Sequence, residues 1–317
     1  MKLSKKEAQK AINNYGLGLV KSVKYIESGW DNFSYDIETD KGEYILQNIA
    51  GEFTKEKERN MKLQFKILEF LRRSGFKYEI PTPIKNKKGK EITAINEKRF
   101  WVYRKIPGNA NEKLADQKIR ELAKALALYA LAAKKFPKGE KSFFNYNWIK
   151  GKYESMKKIH PKNRIDRLML KNIGFFIDLV KHLEKIDYGD NFIFTHADIN
   201  MDNVVFRNNK VIGIIDFNNV EYAPLANDIA ITIFETSIKK YNIDKKRYNL
   251  ILKEYEKIKH LTDKDKELII PLILRYYCML FWDHYEGMKK HREIRYRELK
   301  NDIRAARNIV KDWKQRR

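Results

Sequence analysis

The sequence predicts an α+β protein in which a small antiparallel-sheet lobe precedes a larger helical lobe. Two observations carry this prediction. Within residues 23–49, apolar and polar side chains alternate through residues 33–37, which is the period of half-buried strands. Beyond Gly108, apolar residues recur instead at the spacing of amphipathic helices. We therefore expect a sheet lobe over residues 1–105 and a helical lobe over residues 106–317.

Local signals place the elements of the sheet lobe. Helical spacing is broken by Ser74-Gly75, and a Gly-containing turn and a proline pair interrupt the strands. The expected elements are a helix over 1–16, three strands over 23–49 with a turn at 40–43, a helix over 55–73, an extended connection at 81–83, a turn at 86–90 between two strands, and a strand over 99–105.

The second lobe is predicted in the same way. Long segments of helical spacing surround a short segment rich in β-branched and aromatic residues. The expected elements are helices over 112–134, 142–159 and 164–186, a β-rich insert over 192–216, and further helices to the end of the chain.

The charge of the chain is strongly basic, with 66 Lys and Arg against 42 Asp and Glu, a formal net charge of +24. A polyanion partner is one interpretation, and a basic composition spread over an ordinary surface is the other. Basic residues occur along the whole chain, which favours the second. We therefore expect no specific nucleic-acid partner.

Cysteine content and hydropathy exclude several classes of protein. The single Cys278 rules out an intramolecular disulfide framework and a zinc site built on several cysteines. No apolar segment approaches the length of about 18 residues that a membrane span requires, and the N-terminus has no signal-peptide pattern. These features predict a cytoplasmic protein without a membrane partner, and they carry no signal for an oligomeric state.

The residues with the clearest chemistry lie between Phe192 and Phe217. A short apolar strand precedes Asp198, Asn203 follows five residues later, and a predicted hairpin then ends in Asp216. Phosphoryl transfer requires a carboxylate to orient the acceptor hydroxyl and oxygen ligands to hold Mg²⁺. Asp198 suits the first role, and Asn203 and Asp216 suit the second.

This segment resembles a known superfamily. His196-Ala197-Asp198, with Asn203 and then Ile214-Ile215-Asp216-Phe217, resembles the H-G-D-x-x-x-x-N and I-D-F/W motifs of the aminoglycoside phosphotransferase and choline kinase superfamily. Ala197 stands where that family often has Gly. The resemblance implies a two-lobed protein-kinase-like fold and the transfer of phosphate from ATP, with Mg²⁺, to a small molecule. It also implies that Asp228, in a segment similar to the family's D-L-A, supports the catalytic loop. We expect His196 to be structural, because the chemistry does not require an imidazole at this position.

The sheet lobe is expected to bind the nucleotide. Ser28, Gly29 and Asn32 lie in a loop between two strands, where a phosphate-covering loop belongs. Gln47 stands where kinases carry a phosphate-pairing Lys, so the strand offers an amide without charge. Tyr103 belongs to a strand that resembles the adenine-binding hinge strand.

The acceptor site is expected in the helical lobe. Residues 260–282 resemble the C-terminal region of homoserine kinase type II, so homoserine is the leading acceptor. Arg275 is the candidate clamp for a carboxylate, and Trp282, seven residues later, shares its helix face. Asp202 is the first candidate for binding an ammonium group, and Asp283 is the second.

Other functions stay open at this point. Choline, ethanolamine, a sugar or an aminoglycoside are alternative acceptors, because residues 44–49 also resemble N-acetylhexosamine kinases. An aromatic box for choline would use Tyr276, Tyr277, Trp282 and Tyr285. Outside this class, the chain could be a catalytically silent, spore-coat-like structural protein or a nucleic-acid binder.

Overall fold

A computed structural model describes most of the chain and divides it into two compact units. The units are residues 1–110 with 204–218, and residues 111–203 with 219–317. The described residues are 3–26, 32–110, 115–140, 145–287 and 292–315.

The first unit contains an antiparallel sheet of five strands, with two helices. Its elements are α1 (Lys5–Tyr15), β1 (Val20–Ile26), β2 (Asn32–Thr39), β3 (Gly42–Ile49), α2 (Lys55–Arg73), β4 (Thr93–Ile95) and β5 (Lys98–Arg104). The strands lie in the order β1-β2-β3-β5-β4. The predicted elements are confirmed within a few residues, except that the expected strand directly before the turn at 86–90 does not form.

Helix α1 is defined at both ends by its sequence. Ser4 and Glu7 form a capping box at the N-terminus, and Gly16 ends the helix with a left-handed φ of 70°. The apolar face between them, including the fully buried Ile12, packs in the same core cluster as Tyr35. This packing covers one face of the sheet.

A hairpin from the middle of the chain belongs to the first unit. It consists of β7 (Val204–Arg207) and β8 (Lys210–Ile214), and its turn uses Asn208 and Asn209 with φ of 51° and 59°, as favoured in tight hairpins. The backbone of Glu79 donates to Ile212 O at 2.9 Å. The sequence boundary after residue 105 assigned this hairpin to the helical lobe, whereas its hydrogen bonds join it to the sheet unit.

The second unit is helical, with two short two-stranded sheets. The predicted helices are confirmed, but the strand at 221–224, which pairs with the strand at 192–195, was not predicted. The elements are α3 (Asp116–Ala133), α4 (Tyr146–Lys157), α5 (Arg164–Leu183), β6 (Phe192–Thr195), β9 (Glu221–Pro224), α6 (Ala226–Ser237), β10 (Ile238–Lys239), β11 (Asn242–Ile243), α7 (Lys245–Glu256), α8 (Asp263–Gly287) and α9 (Arg292–Gln315).

Helix α8 organises the second unit, since it contacts α4, α5, α6 and α9. Thr262 and Asp265 cap its start, with the Asp265 backbone N–H donating to Thr262 Oγ1 at 3.1 Å and the Thr262 hydroxyl donating to Asp265 Oδ2 at 2.7 Å. Helix α8 has 25 residues, which include Arg275 and Asp283. Within the described residues, no helix has both the length and the apolar composition that a membrane span requires.

Candidate active site

A buried strand positions the catalytic loop. All four residues of β6 are buried, and β6 pairs antiparallel with β9 from Phe192 opposite Pro224 to Thr195 opposite Glu221. The strand ends directly before His196, whose side chain is fully buried with its ring edge-on to Tyr129. The loop that follows therefore starts from a fixed point in the core.

Asp228 holds the first turn of this loop. It is the third residue of α6 and is only 4% exposed. Its two carboxylate oxygens accept hydrogen bonds from the backbone N–H groups of His196, at 3.0 Å, and Ala197, at 2.8 Å. Burial raises the pKa of Asp228 to about 7, and these two hydrogen bonds oppose the shift. This is the geometry that a supporting carboxylate requires.

The backbone at Ala197 is left-handed. Its φ is +61°, a region in which the Cβ of an L-residue is crowded and only Gly is relaxed. This conformation explains why the related motif often has Gly at this position. The hydrogen bond from Ala197 to Asp228 helps to hold the strained turn, as is common at functional sites.

Replacing Ala197 with Gly is expected to stabilise the protein. Relief of the left-handed strain should exceed the added backbone entropy and raise the free energy of unfolding by roughly 0.5–1 kcal/mol. As a control, Ala230→Gly in the interior of α6 should lower it by about 1 kcal/mol. Urea denaturation measures both, and a loss of stability in both variants would contradict the account.

Three amides orient the carboxylate of Asp198. Asn200 Nδ2 donates to its Oδ1 at 2.9 Å, Asn203 Nδ2 to its Oδ2 at 3.0 Å, and Asn219 Nδ2 to its Oδ2 at 3.3 Å. Asn203 was predicted as part of the motif, while Asn200 and Asn219 were not. The result is a half-buried carboxylate held in one orientation at the end of a rigid strand.

Asn203 has one amide atom engaged with the loop and one turned away. Its Nδ2 also donates to the backbone oxygen of Asp198 at 2.9 Å, so its Oδ1 points away from Asp198. An amide oxygen is a ligand that Mg²⁺ accepts. Asn200 Oδ1 accepts the backbone N–H groups of Asp202 and Asn203 at 2.9 and 3.1 Å, which fixes the turn and leaves the side chain of Asp202 exposed.

Asp216 lies in the first unit, directly beyond β8. It also has a left-handed backbone, with φ of +63°, so two residues of the motif share a conformation that is rare outside glycine. Burial raises the pKa of Tyr103, and the negative charge of Asp216 raises it further. The half-buried carboxylate is an oxygen donor of the kind that suits Mg²⁺.

One face of the sheet offers polar atoms that lack partners. Gln47 on β3 lies opposite Trp101 on β5, and the ring of Tyr103 is 5.1 Å from that of Trp101. Among the described residues, Gln47 Oε1 and Trp101 Nε1 are buried without a hydrogen-bond partner, which is costly unless a ligand or water satisfies them. Ser28 and Gly29 lie outside the described residues, as does the side chain of Asn32.

Arg275 is engaged inside the protein. Its Nη1 donates to Asn227 Oδ1 at 2.8 Å and its Nη2 to Glu221 Oε1 at 2.8 Å, with the Arg275 side chain only 11% exposed. These bonds tie α8 to α6 and to β9. The guanidinium therefore has an internal carboxylate partner, and its role as a clamp for a substrate carboxylate stays a prediction.

The aromatic residues of α8 lie on two sides of the helix. Trp282 contacts Trp148 of α4, with ring centroids 6.1 Å apart. Tyr276 and Tyr277 contact Phe234 of α6, at 4.7 and 4.8 Å. The described side chains therefore do not assemble the aromatic box considered for choline, and the side chain of Tyr285 lies outside them.

Comparison with known families decides the class of the protein. A model of the phosphotransferase enzyme family, APH, matches residues 22–259, which is well over half of the chain. The chain belongs to the phosphotransferase enzyme family. The predicted superfamily and the predicted class, a phosphotransferase acting on small molecules, are thereby confirmed.

Curated relatives of this phosphotransferase are homoserine kinases. The chain is 24% identical over 281 residues to the homoserine kinase of Methylobacillus flagellatus, covering 88% of this chain and 84% of that protein. It is 25% identical over 233 residues to that of Parvibaculum lavamentivorans, covering 72% and 68%.

Solved structures share the fold of this phosphotransferase. A microcompartment-associated aminopropanol kinase has a TM-score of 0.74 at 14% identity, covering 98% of this chain and 99% of that one. An amicoumacin kinase in complex with AMP-PNP, Ca²⁺ and Ami has a TM-score of 0.70 at 15% identity, covering 96% and 94%. The predicted protein-kinase-like α+β fold is confirmed.

Sequence reasoning missed one carboxylate of this phosphotransferase. Glu235 lies on α6 seven residues after Asp228, which is two helical turns and therefore nearly the same face. One turn before it, Thr232 Oγ1 donates to Ile199 O at 2.8 Å, so this face of α6 meets the catalytic loop. The spacing from Asp228 was the available signal.

Glu235 lies in an acidic environment. Desolvation of its carboxyl group raises the pKa to about 7, and the charges of Asp198, Asp202 and Asp302 add to the shift, while part of the side chain is exposed. A hydrogen bond with Tyr276 opposes it. On a chain with net charge +24, such a concentration of carboxylates around the catalytic loop favours a cationic group nearby.

Proposed function

We propose that this phosphotransferase transfers the γ-phosphate of ATP to the hydroxyl of homoserine. The observation that carries the proposal is the Asp198 carboxylate, which three amides orient in a loop of the phosphotransferase motif. The names of the curated relatives support homoserine as the acceptor. The full set of Asp198, Asn203 and Asp216 supports an active enzyme over a silent, structural relative.

Asp198 acts on the acceptor hydroxyl. Its carboxylate accepts a hydrogen bond from that hydroxyl and then its proton, as the alcohol oxygen bonds to the γ-phosphorus and the bond to ADP breaks. The products are a phosphate monoester, ADP and a proton. Because Asn200, Asn203 and Asn219 hold the carboxylate, little reorganisation is needed at the moment of transfer.

Asn203 and Asp216 are the proposed ligands of Mg²⁺, which when bound neutralises charge on the phosphates. Solved structures that share this fold and contain AMP-PNP or ADP support a nucleotide site in this chain. We assign Gln47 to this site, because the buried Gln47 Oε1 and the neighbouring Trp101 Nε1 lack hydrogen-bond partners that a ligand could supply. Tyr103 is assigned with it, since its ring is 5.1 Å from that of Trp101. Ser28, Gly29 and Asn32 stay the proposed phosphate-covering loop.

Glu235 and Asp202 are the proposed partners of the homoserine ammonium group. Glu235 is close enough to Asp198 and Asp202 for the charge of each to contribute to its raised pKa. A cation placed between such carboxylates relieves their mutual repulsion. This assignment keeps Asp202, which the sequence singled out, and adds Glu235, which it did not.

Acceptor binding should depend on pH around neutrality. The pKa of Glu235 is about 7, so the carboxylate is mainly protonated at pH 6 and ionised at pH 8. Homoserine is a free amino acid whose own carboxylate favours the protonated amine, so it keeps its ammonium charge across this range and its KM should fall severalfold from pH 6 to pH 8. The variant Glu235→Gln should have a high KM that no longer changes over this range, and an unchanged profile would contradict the assignment.

A metabolite panel tests the proposed function. ATP consumption is measured with homoserine, choline, ethanolamine, N-acetylhexosamines and an aminoglycoside as acceptors. We expect kcat/KM to be highest for homoserine by at least about tenfold. A higher value for another alcohol would replace homoserine and keep the kinase, whereas no consumption with any alcohol would contradict the function itself.

A further inference from the structure

We propose that Lys152 binds an anionic group of the acceptor, so that this kinase selects alcohols that also carry a carboxylate. The inference rests on the proposed kinase function and assigns the carboxylate to a residue that the sequence did not indicate. It is carried by an aromatic corner formed by Lys152, Trp148 and Trp282, which we call the Lys152 corner.

The Lys152 corner has a defined geometry. The Nζ of Lys152 is 4.7 Å from the ring centroid of Trp282 and 5.3 Å from that of Trp148. The two rings are nearly perpendicular, at 82°, so the ammonium group lies against both. Trp148 is 42% exposed, which leaves the corner open to solvent and to a ligand.

Lys152 differs from its neighbours on α4 in its partners. Lys150 forms an ion pair with Glu184 at 2.7 Å, and Lys157 forms one with Glu154 at 2.9 Å. For Lys152, the described residues provide the two indole rings and no carboxylate. Indole rings attract a cation but offer no strong hydrogen-bond acceptor, so its N–H donors are available to an anion.

The Lys152 corner lies beside an exposed stripe of α8 that also approaches Glu235 and Asp198. Most of α8 is buried from Leu268 to His284. Apart from Ile270, the residues there that are at least partly exposed form one stripe: Arg275, Tyr276, Met279, Leu280 and Asp283. Within it, Tyr276 hydrogen-bonds Glu235 and feels the charge of Asp198. Trp282 lies six residues from Tyr276, about 9 Å along the axis, and Lys152 rests on it.

The charges favour a carboxylate over a quaternary ammonium at this corner. The ammonium group of Lys152 already faces both indole rings, so a second cation there would be repelled. Arg275, the cation within the stripe, is bound to Glu221 and Asn227. An acceptor that places its ammonium group near Glu235 and its carboxylate near Lys152 gives each of these residues a partner of opposite charge.

The test compares homoserine with 3-aminopropan-1-ol, which has the same hydroxyl and amine but no carboxylate. In Lys152→Met, kcat/KM for homoserine should fall at least about tenfold, as expected for a lost charge-assisted hydrogen bond. The value for 3-aminopropan-1-ol and the KM for ATP should stay within about twofold. Lys152→Arg should keep most of the preference, and Lys157→Met, on the same helix, should behave as wild type.

Calorimetry with homoserine separates this inference from the proposed function. Weaker homoserine binding in Lys152→Met than in Lys157→Met supports the Lys152 corner even if the true acceptor is a different hydroxy acid. An equal loss for homoserine and 3-aminopropan-1-ol, equal binding in both variants, or no homoserine binding by wild type would each overturn it. Failure of every alcohol in the metabolite panel would instead overturn the kinase function.

Discussion

Replacing Asp198 with Asn should lower kcat by about 10²-fold or more and leave the affinity for nucleotide nearly unchanged. The amide keeps the size of the side chain but removes the charge that accepts the hydroxyl proton. The new amide has one N–H₂ group in place of a carboxylate oxygen, and this group cannot accept the hydrogen bonds that the neighbouring amides now donate. The side chain is therefore expected to lose the orientation in which it accepts a hydrogen bond from the acceptor hydroxyl.

Matched variants separate chemistry from folding in this experiment. Asp178→Asn removes an exposed carboxylate from α5 and should leave kcat unchanged. Circular dichroism and thermal unfolding show whether Asp198→Asn keeps the fold. Normal turnover by folded Asp198→Asn with its best acceptor would show that Asp198 is not the catalytic residue.

Replacing Asp216 with Ala should reduce both Mg²⁺-dependent nucleotide affinity and turnover, each by roughly tenfold or more. The expected cause is the loss of a charged oxygen ligand of the metal. Asn203→Ala should be milder, because it removes a neutral ligand. Calorimetry with ATP in the presence of Mg²⁺, and again with EDTA, measures the metal-dependent part of the affinity.

The left-handed backbone of Asp216 requires a second variant. At φ of +63°, Ala is less well tolerated than Asp or Asn, so Asp216→Ala combines the loss of a ligand with backbone strain. Asp216→Asn retains the conformation and removes only the charge. If Asp216→Asn binds ATP with Mg²⁺ as tightly as wild type, the carboxylate is not a metal ligand.

The sequence predicted the elements whose signals are local. The alternation of apolar and polar residues in β2 and the Ser74-Gly75 break after α2 are local features of the sequence, so no tertiary information was needed. The hairpin of β7 and β8 was equally visible, because the Asn208-Asn209 turn favours the left-handed region. The motif residues that flank this hairpin were predicted from the same kind of local spacing.

The rest depended on partners distant in sequence. The pairing of β6 with β9 spans an intervening hairpin, and Arg275 meets Glu221 from 54 residues away. Helical spacing put Arg275 and Trp282 on one face of α8, but it gave no indication that α4 covers Trp282. Glu235 and Lys152 gain significance only from what packs around them, which composition and periodicity do not encode.

The most direct test of the account follows the phosphorus itself. Wild-type protein is incubated with ATP, Mg²⁺ and homoserine, and ³¹P NMR follows every phosphorus species, with Asp198→Asn in parallel. We expect a new phosphate-monoester resonance that grows in equal amount with ADP in wild type, and its growth should be at least about 10²-fold slower in the variant. Formation of ADP with only inorganic phosphate, or equal rates in both proteins, would contradict it.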